Sequence, residues 1–208
     1  MNYLLIGDIH GCYYTLQKML NRYWQIDSEN LIILGDFVNK GKHTFAVLEF
    51  LMNLQKKYKE KVIILKGNNE YLFEEYCRNS ITFKLKQKFE NYNLNYIQTL
   101  DWIDKLPHFW ETDTFFASHA GIPITKNIPV LEKDVDLLFN RKPLQDIGKH
   151  QFLGHIIVSN PTFDKNARAW YLDTGAGNGK SLSAIRINDS AQVLKTISLS
   201  VSKKDIVN

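Results

Sequence analysis

Five short apolar runs set the rhythm of the chain. They are Leu4-Leu5-Ile6, Leu31-Ile32-Ile33-Leu34, Val62-Ile63-Ile64-Leu65, Phe115-Phe116-Ala117 and Phe152-Leu153. Each is too short for a helix and is followed directly or one residue later by Gly or His, so each reads as a buried strand. Between the first three the period changes to that of a helix. Residues 14–23 carry Leu16, Met19, Leu20 and Tyr23 on one face, and residues 44–55 carry Val47, Leu48, Leu51, Met52 and Leu54. The first 70 residues are therefore β-α-β-α-β, which predicts a parallel sheet and an α/β class. Residues 69–106 are expected to be a helical insertion, with helices at 69–76, 83–91 and 96–106, stopped by Pro107. Its aromatics Tyr71, Phe73, Tyr76, Tyr92 and Tyr96 are read as core packing. A hairpin is expected around residues 111–113, a short helix at 131–138, and strands at 151–153, 169–172, 183–187 and 193–198. No repeat or linker interrupts the pattern, so residues 1–208 are taken as one domain.

The candidate chemistry sits where the runs end. Asp8 and His10 follow the first, Asp36 the second, Asn68 the third, His119 the fourth and His155 the fifth. Residues i and i+2 on extended chain point the same way, so Asp8 and His10 can share a site. In open sheets, sites form beyond the carboxyl ends of the strands. Six oxygen and nitrogen donors of this kind suit two divalent ions of the manganese or iron type.

The ordered segments GDIHG (7–11), GDFVNKG (35–41), GNNE (67–70), SHAGI (118–122) and LGH (153–155) closely resemble the calcineurin-like metallophosphoesterases. Within them the chain is similar to the branch holding the Ser/Thr protein phosphatases and the symmetrical dinucleoside-tetraphosphate hydrolases. The resemblance runs from Leu4 to about Ile187, and residues 173–176 (DTGA) resemble a segment found late in bacterial members. It implies two mixed β-sheets packed face to face with helices outside. It also implies two divalent metal ions, Mn2+ or an Fe/Mn or Fe/Zn pair. Asp8 and His10 are the expected ligands of one ion, Asn68, His119 and His155 of the other, with Asp36 as the bridge. The implied reaction is attack of a metal-bridged hydroxide on a phosphate ester or phosphoanhydride. Arg141, in the segment LLFNR, is expected to grip phosphate oxygens through its guanidinium fork.

The departures from the family pattern cluster. Asn39 stands where the family has Asp, Lys40 where it has Arg, and Asn69 where it has the general-acid His. Asn can hydrogen-bond but cannot donate a proton to an alkoxide. Lys40 keeps a positive charge for phosphate but lacks the planar fork. Two functions follow. The favoured one is a working phosphoesterase of unusual substrate range, acting on phosphoprotein or dinucleoside polyphosphate. The alternative is a weakened pseudo-phosphatase that binds metal and phospho-ligands as a regulator. His43, His108 and His150 have no assigned role, and His43 reads as a solvated loop residue.

Composition narrows the picture a little further. With 44% hydrophobic and 23% charged residues the chain is not a disordered one. The formal charge of +4 is mild, and the lysines at 56, 57, 59 and 61 read as a solvated face. No basic cluster or motif calls for nucleic acid. No apolar run is long enough to span a membrane. Cys12 and Cys77 form no C-x-x-C pattern and follow no leader sequence, so a reducing cytoplasm is the simplest compartment.

Overall fold

A computed structural model describes residues 1–207. The strands are β1 (Asn2–Ile6), β2 (Glu29–Ile33), β3 (Val62–Ile64), β4 (Phe109–Glu111), β5 (Phe115–Ser118), β6 (His150–Leu153), β7 (Thr162–Asp164), β8 (Ala169–Tyr171), β9 (Ser181–Asn188) and β10 (Val193–Ser200). The helices are α1 (Tyr13–Tyr23), α2 (Thr44–Tyr58), α3 (Asn68–Asn79), α4 (Phe83–Glu90), α5 (Tyr96–Asp104) and α6 (Asp136–Phe139). One sheet has the order β10-β9-β1-β2-β3 and the other β4-β5-β6-β8-β7. In the first, β1, β2 and β3 are parallel and the β9-β10 hairpin adds antiparallel strands. In the second, β5, β6 and β8 are parallel, with β4 and β7 antiparallel at the edges. The expected two-sheet α/β layering is therefore the one the chain adopts.

Strand alternation explains the layers. Leu4 and Ile6 on β1, Leu31 and Ile33 on β2, and Val62 and Ile64 on β3 pack against the helices, where they meet Leu16 and Met19 of α1 and Val47, Leu48 and Leu51 of α2. The intervening Leu5, Ile32 and Ile63 point the other way, onto Phe115, Ala117 and Phe152 of the second sheet. Strands buried on both faces read as continuous apolar runs. Each fully buried Leu or Ile of this kind contributes about 1.5–3 kcal/mol.

Several sequence expectations need correction. The helix expected at 131–138 is confined to Asp136–Phe139. The stretch before it contains Pro129, and the Asp134 carboxylate takes the amide of Asp136 and the Lys126 ammonium, a local arrangement that competes with helix. Strand β7 was not expected, because Phe163 is its one large apolar residue and it lies at a sheet edge. Helix α2 runs three residues further, placing Lys56 and Lys57 in its last turn, where the helix dipole favours cations. Helix α5 ends at Asp104. Of the insertion aromatics, Phe73 and Tyr96 are buried around Phe89 and Tyr92 packs on Phe45. Tyr76, by contrast, is 61% exposed, and Tyr71 lies at the surface edge-on to Phe139. Among the described residues no helix is long and apolar enough to cross a membrane.

Candidate metal centre

The loops after β1, β2, β3, β5 and β6 deliver their polar side chains to one place. Asp8, His10 and Asp36 are almost fully buried and bring one ligand atom each to within 4.8 Å of one another. The His10 ring nitrogen Nδ1 lies 3.0 Å from the carbonyl of Val38, so it carries the proton and donates. That tautomer leaves the Nε2 lone pair facing Asp36 Oδ2 at 3.5 Å and Asp8 Oδ2 at 3.8 Å. Burial lowers the pKa of His10 and keeps it neutral. Burial, reinforced by Asp173 and Asp36, raises Asp8 well above the usual carboxylate range.

A second group of donors converges on the other side of Asp36. His119 donates from Nδ1 to the Leu34 carbonyl at 2.9 Å, so its Nε2 is also a lone pair. That nitrogen sits 3.0 Å from Asn68 Oδ1, 3.1 Å from His155 Nδ1 and 3.4 Å from Asp36 Oδ1. His155 Nδ1 is in turn 3.0 Å from Asn68 Oδ1. Burial, then His119 and Arg141, push the His155 pKa down to about 3, which keeps it neutral as a ligand must be. Its Nε2 has no hydrogen-bond partner among the described residues. The His119 Nε2, Asn68 Oδ1 and Asp36 Oδ1 lone pairs, gathered this closely, repel unless a cation stands among them, so the residues fit a metal. Backbone carbonyls holding the far ring nitrogens of His10 and His119 are the usual outer support of metal-binding imidazoles.

The backbone around these residues is strained, and the strain has visible restraints. His10, Asp36, Asn39, Lys40 and His155 all have positive φ, between 44° and 64°. Such conformations persist only where the surroundings over-determine them. Glu70 is the main restraint for the Asp36 loop. Its Oε1 accepts from the amides of Phe37 and Val38, and its Oε2 from those of Asp36 and Gly67. Burial, and after it the neighbouring Asp36 carboxylate, push the Glu70 pKa up to about 8 against the opposing pull of these amides. Gly154 is required for a different reason: a Cβ there would overlap Asp8 Oδ1.

Of the remaining sequence candidates, Lys40, Asn69 and Arg141 line a cleft of about 570 Å³ together with Asp8, Asp36, Asn68, His155 and Asp173, with Ile156 and Ile157 also in its wall. Asn69 donates its backbone amide to Asp36 Oδ1 at 2.8 Å and its side-chain amide to Asp36 Oδ2 at 2.6 Å. Asn39 donates to Asn69 Oδ1 at 3.2 Å, so the two asparagines do form a pair. The Lys40 ammonium donates to His10 Nε2 at 2.9 Å, so a cation of the chain itself holds that lone pair. Arg141 lies exposed at the mouth. His43 instead reaches the Lys204 carbonyl at 2.8 Å, His108 the Asp134 carbonyl at 3.0 Å, and His150 stacks on Phe152 and Phe163. Cys12 is buried, which pushes its thiol up to about 12 and removes it as a nucleophile.

Two residues at the cleft carried no assignment in the sequence. Glu70 appeared there as the last letter of GNNE, without a role. Asp173, buried in the cleft wall and accepting from the Gly175 amide at 2.8 Å, was visible as the Asp of the DTGA turn. That turn was the available signal.

Comparison with known proteins bears on this geometry. The family model "Calcineurin-like phosphoesterase" matches residues 1–177. The serine/threonine-protein phosphatase 6 catalytic subunit of Drosophila melanogaster is 34% identical over 64 residues, covering 31% of this chain and 21% of that protein. The chain thus matches about a fifth of that relative's length. A structure assigned as a diadenosine tetraphosphatase superposes with a TM-score of 0.72 at 18% identity, over 97% of this chain and 94% of that one. A serine/threonine phosphatase from Saccharomyces cerevisiae superposes with a TM-score of 0.73 at 14% identity, over 98% and 81%. At these identities the structural likeness is one of fold.

Proposed function

The chain belongs to the calcineurin-like phosphoesterases, and from that premise we propose that it is a dinuclear metal-dependent phosphoesterase. The observation that carries the reading is Asp36, whose two oxygens face two separate groups of lone pairs. Asp8 and His10 are assigned to one ion, Asn68, His119 and His155 to the other, and Asp36 to both. Two divalent ions, Mn2+ or Fe with Mn or Zn, supply Lewis acidity and a nucleophile from water at neutral pH.

The chain's own side chains do the rest. Arg141 at the cleft mouth binds phosphate oxygens, and Lys40 adds a second positive charge deeper in. Asn69 holds Asp36 in place and, with Asn39 behind it, offers the leaving-group side a hydrogen bond but no proton. Substrates in keeping with the relatives are phosphorylated proteins and dinucleoside polyphosphates. The Asn39–Asn69 contact is the observation that favours a second reading, a metal- and phosphate-binding regulator with little turnover. Loss of a general acid costs about 10²–10⁴-fold rather than all activity, which favours the enzyme.

Calorimetric titration of metal-stripped protein with Mn2+ should give two ions per chain, and Asp36→Asn should weaken both. Fewer than one ion per chain would sink the assignment. Arg141→Ala should raise KM by on the order of tenfold or more while metal content stays at the wild-type value, because it removes a charged phosphate contact. Unchanged steady-state kinetics would place Arg141 outside the site.

A further inference from the structure

Beyond the residues matched by the family model, the chain turns back onto the site. Residues 201–205 follow β10, with Ser202 capping a single turn over Lys203–Asp205. Asp205 is 1% exposed. Its Oδ1 accepts from the Tyr14 amide at 3.0 Å, and its Oδ2 accepts from the Thr15 amide at 2.9 Å and the Thr15 hydroxyl at 2.6 Å. Thr15 Oγ1 also accepts from the Ser202 amide at 2.9 Å. Helix α1 has no side-chain cap of its own at Cys12, so the exposed N–H groups of its first turn are satisfied by an acid some 190 residues away.

The same turn also holds the loop that carries Lys40. The Asp205 carbonyl accepts from the Lys42 amide at 3.2 Å, and the Lys204 carbonyl accepts from His43 Nε2 at 2.8 Å. Asn39 and Lys40 have φ of 64° and 58°, so this loop needs fixed points on both sides. On one side they come from the first strand's loop, through Gly41 N to the His10 carbonyl and His43 N to the Gly11 carbonyl. The other side is supplied by the C-terminal turn. Lys40 itself borders both the phosphate cleft and a smaller cavity of about 230 Å³ walled by Val201, Asp205 and Ile206.

We propose that Asp205 is a positioning residue for Lys40, clamping the C-terminal turn to α1 so that the turn can hold the Lys40 loop in its strained conformation. The proposal rests on the phosphate-binding role given to Lys40 above, and its test separates the two. In full-length, Mn2+-loaded protein, Asp205→Ala should speed amide hydrogen exchange at residues 39–43 by about tenfold, since the turn whose carbonyls hold Lys42 and His43 is no longer tied to α1. Unchanged exchange there overturns the clamp whether or not the protein binds or cleaves phosphate compounds.

Binding of inorganic phosphate, measured by calorimetry, then completes a double-mutant cycle with Lys40→Met. Asp205→Ala should weaken phosphate by about five- to tenfold when Lys40 is present, and by less than about twofold when it is Met. Equal factors in both backgrounds mean that Asp205 acts on the whole structure, and overturn the proposal. Asp205→Asn, which keeps an oxygen acceptor at the α1 amides, should recover most of the wild-type affinity. If Asp205→Ala does not fold, Thr15→Val removes only the bridging hydroxyl and enters the same cycle with the same expected outcome. Wild-type protein that binds no phosphate would contradict the proposed function, while the exchange measurement still decides the clamp.

Discussion

Wild-type protein is expected to hydrolyse p-nitrophenyl phosphate with a kcat/KM on the order of 10²–10⁴ above that for a phosphoserine peptide, the range a general acid usually contributes. Asn69 lies against Asp36, and Asn39 lies behind it at 3.2 Å, so the place of a proton donor is filled by two amides. An amide cannot protonate a serine alkoxide. A phenolate, from a group with pKa about 10, leaves with far less help. A phosphate, with second pKa about 6, leaves with less still, so phosphoanhydrides should also be good substrates. Asn39→Asp with Asn69→His should raise the phosphoserine rate selectively. Asn69→His alone should do less, because the imidazole would lack an orienting carboxylate. The test is kcat/KM across a leaving-group series for wild type and both variants. Equal rates on phosphoserine and p-nitrophenyl phosphate would contradict it. His43 is not the substitute donor, since it is spent on the Lys204 carbonyl. Lys40, in the cleft, would then be the residue to replace.

Replacing Glu70 by Gln should destabilise the protein by about 2–6 kcal/mol, through the two buried backbone N–H groups it leaves without an acceptor. Each Glu70 oxygen accepts two backbone N–H groups. Glutamine would turn an NH₂ group onto two of them, leaving buried donors facing a donor at about 1–3 kcal/mol each. These amides belong to the Asp36 loop and to Gly67, so metal affinity should fall with stability. Urea unfolding of the metal-free proteins measures the first effect, and a Mn2+ titration the second. A change below about 1 kcal/mol would show that water or another group replaces the carboxylate.

How much of this was legible in the sequence depends on how local the cause is. Leu4-Leu5-Ile6 is buried on both faces, and that is visible in the run itself. The six candidate ligands were visible because each follows a run of this type, and the structure brings all six to one end of the sheets. Glu70 was not assigned, because three of its four partners are amides more than 30 positions away whose direction depends on a turn with positive φ. The same holds for Asp205, whose task is set by α1 at the other end of the chain. Tyr76 was misplaced for the opposite reason: helical spacing of aromatics says which face they share, but not whether anything covers that face. Strand β7 was missed because an edge strand needs no apolar run to exist.

The central claim is that the Asp36 centre is a metal-dependent phosphoesterase site, and the rate of p-nitrophenyl phosphate hydrolysis against added Mn2+ in metal-stripped protein tests it most directly. The expected result is no turnover above buffer without metal, a saturable rise with Mn2+ in wild type, and little or no rise in Asp36→Asn. Full activity in the presence of chelator, or Mn2+-loaded wild type no faster than buffer, would contradict it.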